Sequence, residues 1–116
     1  MKIKTAELTG AALDWAVAKC VGSDPEITQY GGTTALRFEH RLYSPSTDWA
    51  TGGPIIEREG ISLIAPNEIG RGRENCAATK RFLRSELEGP TALIAAMRCY
   101  VASKLGDEVE IPEELT

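Results

Sequence analysis

Histidine is almost missing from this sequence: His40 is the single one among 116 residues. Its ordinary pKa makes histidine the usual proton shuttle near neutrality, so a chain with one copy offers little for general acid–base or Cys–His chemistry. His40 reads as a strand or surface residue. Cysteine is scarce too. Cys20, Cys76 and Cys99 are far apart, odd in number and without C-x-x-C spacing, which argues against both a zinc ligand set and a disulfide framework. Cys20 and Cys99 fall in apolar helical stretches and read as buried or half-buried free thiols. No apolar run approaches the roughly 20 residues of a membrane span, and the opening MKIKTAELTG lacks the apolar stretch of a secretion signal, so a cytoplasmic location is expected. Nor is there an excess of positive charge. The formal net charge of −4 gives no overall field toward nucleic acid or an anionic membrane, and neither is expected as a partner.

What remains is ordinary for a globular chain, with 42% hydrophobic and 26% charged residues, and one domain spanning 1–116 is expected. Two helices stand out. In LTGAALDWAVAKCVG, Thr9 is a cap candidate, Ala11 to Val21 is alanine-rich and Gly22 supplies the stop. In GPTALIAAMRCYVASKLG, Pro90 stands near the first helical position, Gly106 follows the end, and Leu93, Met97, Tyr100, Val101 and Leu105 form the expected buried stripe. Between them the pattern turns β-rich. Gly31-Gly32 reads as a hairpin turn, with Leu36, Phe38 and His40 alternating against Arg37, Glu39 and Arg41, and 60–66 is a further strand closed by Pro66. The acidic tail at 107–116, where Val109 and Ile111 alternate with Glu108 and Glu110, fits a short edge strand or an extended docked segment. The expected fold is α+β, with N- and C-terminal helices packed on a small, mainly antiparallel sheet.

The segment YSPSTDWATGGPIIEREG, residues 43–60, concentrates the chemistry. One reading makes it structural. Ser46, Thr47 or Asp48 caps a single helical turn from Trp49 to Thr51, Gly52-Gly53-Pro54 ends it, and Trp49 plugs the core. The other makes it a ligand loop, in which Tyr43 and Trp49 offer rings to a planar group while Ser44, Ser46, Thr47, Asp48, Thr51 and the amides of Gly52 and Gly53 supply hydrogen bonds. Arg58, Arg71 and Arg73 are candidate phosphate contacts, because arginine holds phosphate through paired hydrogen bonds. Lys80, Arg81 and Arg84 extend this one basic concentration, which as a plain solvated surface would carry no function. Asp48, Glu57 and Glu59 have no spacing that assigns an acid and base pair, so no enzyme, metal or cofactor is expected.

Three blocks, MKIKTAELTGAALDWAVAKC, YSPSTDWATGGPIIEREGISL and GPTALIAAMRCYVASKLGDEVEIPEEL, together resemble the NinX-like family of small proteins from tailed phages and prophages of enteric bacteria. The resemblance does not extend to 21–40 or 66–88. It implies a phage origin and action in the cytoplasm of the host, and it carries over no catalytic residue. The expected function is a non-enzymatic, homo-oligomeric phage accessory protein that sequesters a small nucleotide-derived signal of host antiphage immunity, in the manner of a sponge. The alternatives are a module that uses its acidic tail to bind a host protein, and an accessory factor in phage DNA metabolism.

Overall fold

Twelve residues with four alanines form α1, Gly10–Val21, in the computed structural model, which describes residues 1–65, 76–81 and 86–116. Thr9 does occupy the cap position with extended backbone, but its side chain makes no capping bond. At the other end Gly22 turns left-handed, and Ser23 N–H reaches Ala18 O at 2.8 Å, a Schellman closure that favours glycine because its φ of 83° burdens any Cβ. The later helix, α3, spans Ala92–Leu105. Its cap is Thr91, whose Oγ1 accepts from Ile94 N–H at 3.1 Å, so Pro90 lies before the cap rather than inside the first turn. Leu93, Met97, Tyr100 and Val101 are buried as the spacing predicts, whereas Leu105 is exposed at the last position of the helix.

These two helices make the centre of the core. Leu13, Ala16 and Val17 of α1 and Ala95, Ala96, Met97 and Val101 of α3 are all fully buried, the alanines letting the backbones approach closely. Three small antiparallel sheets surround them, in place of the single sheet expected. β1 (Lys2–Lys4) pairs with β8 (Glu108–Glu110); β2 (Glu26–Tyr30), β3 (Thr33–Phe38) and β4 (Arg41–Leu42) form a second sheet. β5 (Ser62–Ile64), β6 (Cys76–Thr79) and β7 (Leu87–Gly89) form the third, in that spatial order, under α3. The tail is therefore an edge strand: Val109 and Ile111 enter the core while Glu108 and Glu110 face out.

The Gly31-Gly32 turn joins β2 to β3 with both residues at positive φ, the geometry that matches strand twist in a two-residue hairpin. The alternation through His40 misleads. Glu39 and His40 take φ of 51° and 65° and make a second two-residue turn, returning the chain into β4.

Candidate functional site

Ser44 O accepts from Thr47 N–H at 3.0 Å and Asp48 N–H at 2.8 Å, folding residues 44–48 into a tight turn. Asp48 then caps α2, Trp49–Glu59. Its Oδ1 accepts from Ala50 N–H and its Oδ2 from Thr51 Oγ1, each at 3.1 Å, so both side chains are committed to the helix start. The expected single turn is in fact eleven residues long, because Gly52, Gly53 and Pro54 continue the helix. The physical reason is packing: a Cβ on Gly52 would meet Pro45 O and lie 2.6 Å from Leu93 Cδ1, so only glycine lets α2 cross this close to α3. Pro54 lacks the N–H that would bond the Ala50 carbonyl, a local cost the tertiary contacts absorb.

Trp49 does not plug the core. Its side of α2 faces outward and the residue is 54% exposed, with its ring edge over Gly53. Beside it Ser46, Thr47 and Trp49 line one wall of an open hollow of about 220 Å³, and Thr91, Ala92, Leu93 and Ile94 line the other. The first turns of α2 and α3 thus open on the same space. Helix N-termini carry amides without intrahelical acceptors and a partial positive charge suited to anions; here the Asp48 carboxylate already takes the Ala50 amide and Thr91 Oγ1 the Ile94 amide.

Ser46 is 1% exposed, and its amide donates to Asp14 Oδ1 at 2.8 Å. Its hydroxyl approaches the same carboxylate without meeting hydrogen-bond geometry, and Oγ stays without a partner. Burial pushes the Asp14 carboxyl up to about 6, an effect that the contacts with Ser46 hold back.

Tyr43 and Arg58 do not join this hollow. Tyr43 is half-buried, edge-on to Phe38 with centroids 6.3 Å apart, and burial, reinforced by the Asp14 charge, pushes its phenol up to about 12. Arg58 follows Trp49 by nine positions on one helix, which at about 100° per residue sets it on the opposite side. Arg71 and Arg73, with Arg84, lie outside the described residues.

Arg58 belongs instead to a cluster that spacing did not reveal. Glu59 Oε1 lies 2.7 Å from Lys80 Nζ and 3.7 Å from Lys104 Nζ, while its Oε2 lies 3.2 Å from Arg58 Nε. Arg58 Nη2 also donates to Tyr100 Oη at 3.5 Å. The bond from Lys80, followed by that from Arg58, outweighs burial and holds the Glu59 carboxyl below its ordinary range, and the bond to Glu59 raises Arg58. Nothing short-range could bring residues 59, 80 and 104 together. Thr91, the cap of α3, is not singled out from the sequence, and nothing local places it beside Trp49.

His40 is exposed, the three cysteines are free, and burial pushes the Cys20 and Cys99 thiols up to about 11. Among the described residues no group of three or more His, Cys, Asp or Glu side chains could hold a metal ion. No helix among them is long and apolar enough to cross a membrane.

The family model described as Bacteriophage P22, NinX matches residues 4–104. The chain belongs to the NinX family of phage proteins. The match runs through 21–40 and 66–88, so the NinX character is not confined to the three blocks that carry the resemblance. It includes every residue lining the hollow and all four members of the Glu59 cluster. No curated protein matches the chain.

Proposed function

We propose that this NinX-family protein is a non-enzymatic binder that captures a small nucleotide-derived signal of host antiphage immunity in the cytoplasm of the infected cell. The observation that supports it is Trp49, a large aromatic left 54% exposed at the mouth of the hollow between the first turns of α2 and α3. A stacked base against the indole and a phosphate against the helix amides is the pairing such a site suits. The hollow holds about 220 Å³, less than the roughly 300–1,000 Å³ of a typical ligand pocket. A second copy of the chain would supply the missing wall, so the binding form is a homo-oligomer.

The test uses a Trp15→Phe background, in which Trp49 is the only indole. Its emission and the melting temperature are followed across cyclic dinucleotides and ADP-ribose derivatives, with native mass measured in parallel. One ligand that shifts the emission and raises the melting temperature together supports the reading. Silence across the panel removes it.

A second reading has its own observation. Glu108, Glu110, Glu113 and Glu114 are all exposed on a segment anchored by Val109 and Ile111, a fixed acidic face that would steer toward a basic surface on a host protein. Charge-neutral variants at these four positions that abolish a biological effect while leaving the fold intact would favour it.

A further inference from the structure

Three cations from three different elements meet at one carboxylate: Arg58 near the end of α2, Lys80 just after β6 and Lys104 in the last turn of α3, all within 4 Å of Glu59. We propose that this cluster is a second binding site, one that takes the phosphoryl group of a small molecule.

A single staple between elements needs one cation for one anion. A second and third cation gain less attraction from a carboxylate already paired, and they repel each other across a few ångströms. Arg58 and Lys104 each face the carbonyl end of their own helix, which accounts for each separately. It does not account for their convergence. Among the described residues the cluster keeps an excess of two positive charges within a chain whose formal net charge is −4, so it is a local exception to the field of the molecule.

The exposures divide the group into a base and a rim. Glu59 and Lys80 side chains are 14% and 18% exposed and form the shortest pair, whereas Lys104 and Arg58 are 46% and 55% exposed and reach solvent. The inner pair fixes the floor while the outer two present ammonium and guanidinium N–H groups outward. A phosphate dianion set between them brings the local charge to neutral. It also matches the donor geometry of a guanidinium beside an ammonium. The site is open, so it holds the phosphoryl end of a molecule and leaves the rest in solvent. It stands on the side of α2 opposite Trp49, so the result of either test leaves the other site standing.

The experiment compares sodium phosphate with sodium chloride at equal ionic strength, reading the melting temperature and the amide NMR shifts of residues 58–60, 80 and 103–105. Pyrophosphate and adenosine monophosphate are run alongside to tell free phosphate from a phosphoester. Phosphate is expected to saturate, to shift those amides and to raise the melting temperature above that in chloride. The Arg58→Gln/Lys104→Gln variant changes only the exposed rim, and it is expected to bind about tenfold more weakly with an unchanged fold in chloride. Glu59→Gln, which removes the competing anion, is expected to bind more tightly than the native chain. Phosphate and chloride behaving alike, or the rim variant binding as the native chain does, would overturn the proposal.

Discussion

The Ser46 amide donates to Asp14 Oδ1 at 2.8 Å, tying the turn before α2 to the buried face of α1. Burial raises that carboxyl from 3.8 to about 6, so the folded chain takes up a proton over this interval that the unfolded chain does not. Stability from Asp14 is therefore greatest below 3.8, falls as the pH rises to about 6 and is level above. Asp14→Asn keeps an acceptor oxygen and drops the charge. Relative to the native chain the variant should gain stability across that interval, by at most about 3 kcal/mol. Urea unfolding at a series of pH values reads the difference directly, and a difference independent of pH would contradict the burial of the charge.

Gly52 and Gly53 are adjacent in sequence and opposite in tolerance. Gly52→Ala drives a Cβ into Pro45 O and Leu93 Cδ1 and should cost about 1–3 kcal/mol through overpacking, despite the better helix propensity of alanine. Gly53→Ala meets only Trp49 Cε3 at 3.9 Å and should stabilise by about 0.5–1 kcal/mol. Thermal unfolding of the two single variants provides the comparison, and equal effects would mean that α2 and α3 are not this close.

That pair also explains what could be read in advance. α1, α3 and the Gly31-Gly32 hairpin follow from periodicity, alanine content and the residues at their ends, all of them local signals. α2 did not, because Gly52-Gly53-Pro54 carries the local signature of a stop while the approach to Leu93 is settled 41 positions further along the chain. The turn at Glu39-His40 lacks glycine, asparagine and aspartate, so its positive φ values left no mark in the sequence. The aromatic segment was legible as a candidate, yet it splits in space: Trp49 faces the start of α3 while Tyr43 packs on Phe38 and Arg58 joins Glu59.

Removing residues 107–116 should do more than remove charge. Val109 and Ile111 are 6% and 1% exposed, and burial of two such side chains contributes about 3–6 kcal/mol. The truncated chain is expected to melt far lower or not to fold, while changing Glu108, Glu110, Glu113 and Glu114 to glutamine should alter stability by no more than about 1 kcal/mol in total. Circular dichroism melts of both tail variants would separate loss of the acidic face from loss of the core. A truncation that melts like the native chain would refute the docking of these two side chains.

Trp49→Ala should leave stability within about 0.5 kcal/mol, as expected for a largely solvated position. In the Trp15→Phe background, acrylamide should quench Trp49 emission efficiently. Weak quenching together with a marked fall in melting temperature would mean that the indole is buried after all.

Thr5 Oγ1 donates to Gly106 O at 2.6 Å across 101 positions, next to the ribbon that joins β1 to β8. On a ribosome adding about 5–20 residues per second, the first strand would wait roughly 5–20 s for its partner to be made. Throughout that wait the edge formed by Lys2–Lys4 has nothing to pair with, and its two lysines are the kind of side chain that discourages strand-to-strand association. Closing so large a loop adds little entropy beyond that of a medium one, since the cost grows only logarithmically. The strand Glu108–Glu110 is thus the clasp of the molecule, and the ribbon closes only once that strand has been made.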